Sequence, residues 1–179
     1  MTIPSKLILL RIFAIPMFLA FLFSDLEFGR AIALGIFIIA SITDLFDGII
    51  ARKYNQMTDF VKIMDPLADK LLICSALIAL VQTHDVAAWL AILIVFRDFI
   101  ITGLRMVVMF RGVVLGAVIS GKINTAFQMV LVIFVLADFD WATAGQVKQI
   151  LIYIVVLLTV VSTAENFIRN RKLIRHLGS

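Results

Sequence analysis

Apolar residues run along this chain in long blocks rather than in the short alternations of a soluble domain. Six blocks stand out, at roughly Leu7–Phe23, Ala31–Ile50, Phe60–Val81, Val86–Phe110, Ile119–Ala137 and Ile150–Ile168. A helix needs about 20 apolar residues to cross the hydrocarbon of a bilayer, so each block predicts one transmembrane helix. The polar breaks are short, around Asp25–Arg30, Lys53–Asp59, Gln82–Asp85, Arg111–Val118 and Asp138–Gln149. The pattern predicts an all-α, polytopic membrane domain over residues 1–179, with a short interfacial segment beginning at Ile3-Pro4-Ser5. No soluble module, internal repeat or linker interrupts it. Lys6 followed by an apolar run imitates a signal peptide, but no small-x-small cleavage pattern precedes Ser24, Asp25 and Glu27. The run is therefore expected to stay as the first span.

Composition agrees, with 63% hydrophobic and 16% charged residues and a mean hydropathy of +1.10. Charge then orients the bundle. Let both termini and the second and fourth connections face the cytoplasm. Of the 16 Lys and Arg residues, all but Arg30, Lys148 and the deeper Arg97 then fall on or toward that side. This is a strong positive-inside bias, expected of a multi-pass protein of the cytoplasmic membrane. The net charge of +4 reflects topology and contact with anionic membrane lipids rather than nucleic-acid binding. The basic tail from Asn166 reads as a stop-transfer anchor. Cys74 is the single cysteine, so an intrachain disulfide is impossible and a small core residue is the simplest role.

Four carboxylates sit against this background: Asp44 and Asp47 at the end of the second block, Asp65 and Asp69 near the start of the third. Spacings of three and four residues put each pair on one helix face, and the short connection lets the pairs converge as a helical hairpin. A buried carboxylate without a partner is costly. Four oxygen donors facing each other suit a hard divalent cation, Mg²⁺ or Mn²⁺. Gly48 gives the backbone room for a ligand, Ala51 is small one turn on, and Arg52 balances the carboxylates or grips a phosphate. Pro66 either opens a helix capped by Asp65 or lies in one already begun. The alternatives are salt bridges to Arg52, Lys62 and Lys70, or an ion or proton pathway.

The run Asp44-x₂-Asp47-Gly48-x₂-Ala51-Arg52-x₈-Val61-x₃-Asp65-x₃-Asp69 resembles the signature of the CDP-alcohol phosphotransferases. Every defined position matches except Val61, where the family has glycine. The resemblance extends over nearly the whole chain. Asp65-Pro66-Leu67-Ala68-Asp69-Lys70, Arg97-Asp98, Thr102-Gly103-Leu104-Arg105 and Gly121-Lys122, followed by Thr125 and Gln128-Met129-Val130, resemble the bacterial branch that joins CDP-diacylglycerol to glycerol 3-phosphate. Ser5, Ile8 and Asn124 depart from that branch, which has Asn, Thr and Lys there. The resemblance implies Asp44, Asp47 and Asp65 as principal metal ligands and Asp69 at a second metal and as general base. It implies Gly48, Ala51 and Val61 in the cytidine pocket, with Asp44 and Arg52 also at the CDP donor, and a homodimer.

Arg97, Arg105 and Lys122 are cations that also need a reason to stand in apolar sequence. Arg97 and Arg105 are eight residues apart, near one helix face, and Lys122 opens the next block. Together they suit a phosphate dianion, and hence glycerol 3-phosphate as acceptor. Pairing with Asp98 or contact with lipid headgroups is the competing role. His84 and His176 suggest no metal triad, and Trp89, Trp141 and Tyr153 read as interface or packing aromatics. No P-loop, dinucleotide fingerprint, zinc motif or nucleophile elbow is present. Within the family, inositol-phosphate and cardiolipin synthesis are alternatives. Outside it stand a noncatalytic paralogue and a cation or proton-coupled transporter, which would release no CMP.

Overall fold

The computed structural model describes the backbone of residues 3–53, 59–110 and 119–177, and side chains over 8–43, 64, 67–68, 70–107 and 119–169. Its described residues form six helices and no strand: α1 (Ile3–Leu22), α2 (Gly29–Lys53), α3 (Asp59–Gln82), α4 (Ala88–Phe110), α5 (Ile119–Ala137) and α6 (Ala144–Leu177). Five helices follow the apolar blocks closely. Two boundaries differ from expectation. Ile3-Pro4-Ser5 begins no separate segment but opens α1 itself, because proline is well tolerated in a helix's first turn. The sixth helix starts at Ala144 rather than near Ile150 and runs on into the basic tail. Polar residues at a span's ends continue the helix where the bilayer no longer demands apolar ones. Pro66 falls inside α3 rather than at its start.

The chain divides into two units, residues 1–88 with 132–140, and residues 89–131 with 141–179. In the first, α1 packs on both α2 and α3. Phe18 and Phe37 meet at 6.1 Å between ring centroids, tilted by 51°. At the other end of α1, Ile8 and Ala68 are fully buried against each other, with Ile12 and Met64 packed around them. Ile8, one of the departures from the family pattern, is thus a core contact between α1 and α3.

The α1–α2 turn demands glycine at one place. A Cβ at Gly29 would lie 2.6 Å from both the Phe21 carbonyl and the Ser24 hydroxyl, closer than any side chain tolerates. The next residue, Arg30, staples three helix ends. Its Nε and Nη2 donate to the Leu136 and Val135 carbonyls at 3.1 and 2.7 Å. Nη2 lies 3.0 Å from Asp85 and Nη1 3.7 Å from Asp138. Carbonyls at a helix C-terminus have no partner within the helix and carry negative dipole charge, so a cation satisfies them twice over. His84 and Asp138, at the ends of α3 and α5, take left-handed φ values of 62° and 47°. They turn the chain where glycine is the usual choice.

The second unit buries Leu90, Ala91, Ile94, Ile101, Leu131 and Val155. Its α5 and the Ala144–Arg169 stretch of α6 are long and apolar enough to cross a bilayer. Across both units large apolar side chains face outward, among them Phe13 (67% exposed), Ile92 (68%), Phe96 (65%) and Leu157 (65%). Soluble monomers rarely expose contiguous apolar surface on that scale. Two helices of spanning length and this outward apolar surface fit a helical membrane protein.

Candidate active site

The backbone of α2 carries Asp44 and Asp47, and that of α3 carries Asp65 and Asp69, with both pairs in continuous helix. At 100° and 1.5 Å per residue, positions three or four apart share a face one turn apart. The side chains of all four, and those of Ala51, Arg52 and Val61, lie outside the described residues, as does the surrounding of Gly48. The described residues nearby show what holds the helices. α1 packs against α2 and α3 alike, and Ala68, between Asp65 and Asp69 in sequence, is sealed against Ile8. The chemistry of four carboxylates carried by two helices that pack on one scaffold helix is that of an all-oxygen donor set, which would suit a hard divalent cation.

The second constellation lies on α4, α6 and the first part of α5, at residues that belong to the second unit. Arg97 is buried and already engaged. Its Nη1 donates to Asp98 Oδ1 at 2.7 Å, and its Nη2 donates to Ser162 Oγ at 2.7 Å. The Nη2 atom also lies 3.5 Å from the place a Cβ would take on Gly121, so the guanidinium rests against the first turn of α5, next in chain to Lys122. Arg105 and Lys122 are exposed. The pairing with Asp98, weighed from sequence as a competitor to phosphate binding, is present. Arg97 therefore already spends hydrogen-bond donors within the protein, on Asp98 and Ser162.

Behind Arg97 runs a polar ladder that sequence reasoning did not single out. Thr159, Ser162, Thr163 and Asn166 follow an i, i+3, i+4, i+7 pattern along one face of α6. Thr159 Oγ1 donates to Asn124 Oδ1 at 3.1 Å. Ser162 Oγ and Thr163 Oγ1 donate to the Thr159 carbonyl at 3.3 and 2.6 Å, and Asn166 Nδ2 donates to the Ser162 carbonyl at 2.7 Å. The periodic signal was readable: polar residues at helical spacing in an apolar span mark a face turned away from lipid. Asn124, which departs from the family's lysine, is fully buried. A neutral amide bonded to Thr159 fits there, where an unpaired ammonium would be costly. Within this unit, Arg97 Nε, Ser120 Oγ, Asn124 Nδ2 and both amide atoms of Gln128 have no hydrogen-bond partner among the described residues; the same holds for Ser41 Oγ in the first unit.

A paired-carboxylate motif on α2 and α3, with cations and buried polar groups on α4–α6 and two helices of membrane-spanning length, fits an enzyme that works at a membrane. Comparison with known proteins fixes the family. The chain belongs to the CDP-alcohol phosphatidyltransferase family, whose model matches residues 1–161. It is 39% identical over 189 aligned positions to a Bacillus subtilis protein named CDP-diacylglycerol–glycerol-3-phosphate 3-phosphatidyltransferase, with 94% of each chain covered. A Rickettsia bellii protein of the same name is 36% identical over 172 positions, covering 92% of this chain and 93% of its own. A probable phosphatidylglycerophosphate synthase of Mycobacterium tuberculosis is 43% identical over 134 positions, covering 73% and 64%.

Proposed function

We propose that this protein transfers a phosphatidyl group from CDP-diacylglycerol to sn-glycerol 3-phosphate, giving phosphatidylglycerophosphate and CMP, at the cytoplasmic face of a six-span membrane domain. The observation that carries this reading is the near full-length likeness to proteins named for this reaction. The intact Asp44-Asp47-Asp65-Asp69 set on α2 and α3 supports it.

In this reading the primary hydroxyl oxygen of glycerol 3-phosphate attacks the β-phosphorus of the donor. The new P–O bond forms as the bond from that phosphorus to the CMP oxygen breaks, and CMP leaves with the electron pair. Asp69 takes the hydroxyl proton as general base. Asp44, Asp47, Asp65 and Asp69 would hold the divalent cations, Mg²⁺ or Mn²⁺, in a two-metal arrangement. The cations supply charge neutralisation at the diphosphate when bound. Gly48, Ala51, Arg52 and the Val61 position belong to the CDP-donor pocket. Arg105 and Lys122 receive the acceptor phosphate with charge-assisted hydrogen bonds, and Arg97, held by Asp98 and Ser162, contributes its fixed charge. The working unit is a homodimer in the lipid bilayer.

The test is an acceptor screen with purified protein, CDP-diacylglycerol and Mg²⁺, with products resolved by mass. Glycerol 3-phosphate should give phosphatidylglycerophosphate and stoichiometric CMP, both abolished by EDTA and restored by added metal. Product from inositol phosphate or phosphatidylglycerol instead would move the protein to another branch of the family. Metal binding without CMP release from any donor would mark a noncatalytic paralogue.

A further inference from the structure

We infer that the buried amides of Gln128 and Asn124 read the secondary hydroxyl of the phosphorylated acceptor, which makes Gln128 a determinant of acceptor specificity; this inference rests on the function proposed above. Both amides belong to α5, and both residues are fully buried. Gly121, Asn124 and Gln128 are spaced three and four apart, so they fall within about 60° of one another around the helix. That face meets Arg97 and α6. The Arg97 Nη2 atom lies 3.5 Å from the place a Cβ would take on Gly121. Ser162 accepts from the same nitrogen at 2.7 Å. Thr159, one turn earlier on α6, donates to Asn124 Oδ1 at 3.1 Å. All of these residues belong to the second unit.

The unused atoms on this face select a ligand by their chemistry. Among the described residues, Arg97 Nε, Asn124 Nδ2 and both amide atoms of Gln128 have no hydrogen-bond partner. Arg97 Nε and Asn124 Nδ2 can only donate, and any oxygen suits them. Asn124 Oδ1 is already taken by Thr159. Gln128 differs, because its Oε1 needs a donor while its Nε2 needs an acceptor. A phosphate dianion has no hydrogen to give, so it can satisfy the cations and still leave Oε1 bare. A hydroxyl both gives a hydrogen and accepts one, which matches the two ends of the Gln128 amide. sn-Glycerol 3-phosphate carries two hydroxyls, and the primary one must stay free to attack phosphorus. The secondary one stands on the carbon next to the phosphate ester, close to whatever cation holds the phosphate. Long side chains on a helix lie back over the preceding turn, and for Gln128 that is the turn of Asn124. A buried amide without partners is costly, and a leucine of similar size would avoid the cost. An amide at this position therefore calls for a partner that can donate and accept.

The test pairs Gln128→Leu with deletion of the hydroxyl from the acceptor. 3-Hydroxypropyl phosphate keeps the phosphate and the primary hydroxyl and lacks only the secondary one. The parent should favour sn-glycerol 3-phosphate over this analogue by about tenfold in kcat/KM. Gln128→Leu should raise the KM for sn-glycerol 3-phosphate about fivefold and that for the analogue by less than about twofold, with the KM for CDP-diacylglycerol unmoved. Equal rises for both acceptors are what structural damage would give, and they overturn the inference. So does a parent that uses the two acceptors equally, a result that needs no variant and so does not depend on how the variant folds. Unchanged KM values for both acceptors in Gln128→Leu, as for an amide that holds an internal water, overturn it as well. Calorimetric titration of the parent with each acceptor reads the same preference without turnover. If the parent releases no CMP yet binds sn-glycerol 3-phosphate about tenfold tighter than the analogue, the proposed function fails and the hydroxyl reading stands. CMP release with equal kcat/KM from both acceptors keeps the function and removes the inference.

Discussion

Arg30 and Arg97 are both arginines inset in apolar helices, and their surroundings differ in kind. Arg30 directs its donors at two helix-end carbonyls and two carboxylates drawn from sequence-distant elements. All three of its nitrogens have partners, and it sits where helix ends meet. Arg97 is more deeply buried, and the polar groups with it keep unpartnered atoms on Arg97, Ser120, Asn124 and Gln128. Native interiors satisfy nearly all buried polar groups, so these atoms call for partners beyond the described residues. The first region is a staple. The second is a buried polar cluster with hydrogen-bonding capacity unused among the described residues, and under the proposed function that capacity would serve the acceptor.

The largest expected effects test the functional side of that contrast. Asp44→Asn, Asp47→Asn or Asp65→Asn should each reduce transfer below detection, because each removes an anionic oxygen donor at nearly constant volume. Thermal unfolding in detergent should stay unchanged. Activity near that of the parent at limiting metal would remove that residue from the ligand set. Next in size, Arg105→Ala or Lys122→Ala should raise the KM for glycerol 3-phosphate by roughly tenfold to a hundredfold, the worth of one charge-assisted hydrogen bond at about 1.5–3 kcal/mol. The KM for CDP-diacylglycerol should move little. Equal rises for both substrates would assign these cations to structure, alongside Arg30.

Arg30→Met tests the other side. It removes the guanidinium donors from the carbonyls of Leu136 and Val135, the latter keeping the Asp138 N–H at 3.3 Å, and leaves Asp85 without its cation. The expected loss is about 1–3 kcal/mol of stability, read by thermal unfolding or detergent-denaturation midpoint. Transfer per folded molecule should stay within about twofold, since no substrate role falls on that end. A large loss of turnover with unchanged stability would break the distinction drawn between the two arginines.

The extent to which these regions were legible in the sequence follows from what each signal depends on. Helix positions were readable because apolar block length is a local property, and the carboxylate motif because its spacing is short and specific. The start of α6 was not, because polar residues at a bilayer boundary carry no stop signal. The staple was partly legible. Arg30, Asp85 and Asp138 lie in three connections that alternate topology puts on one side, but which carbonyls the guanidinium reaches is decided only by packing. The ladder of Thr159, Ser162, Thr163 and Asn166 had a periodic signature that an apolar count of its span conceals. The pairing of Arg97 with Asp98 was visible as a possibility, but its priority depends on Ser162, 65 residues away.

The smallest and most discriminating effect is at Gln128, fully buried with neither amide atom bonded within the described residues. Gln128→Leu replaces that amide with an apolar side chain of similar size. If the amide stabilised the fold as Arg30 does, its loss would cost stability. An unsatisfied buried amide instead carries its desolvation penalty uncompensated, so removing it should stabilise the protein by about 1 kcal/mol. For a chain of this length that raises Tm by roughly 2–4 °C. The same change should raise the KM for glycerol 3-phosphate by about fivefold, one neutral hydrogen bond's worth. A gain in stability joined to a loss in acceptor affinity is the signature of a group retained for function at the expense of the fold. A fall in Tm with unchanged KM would place Gln128 with the staple and show that the polar cluster of α5 and α6 holds helices together rather than a substrate.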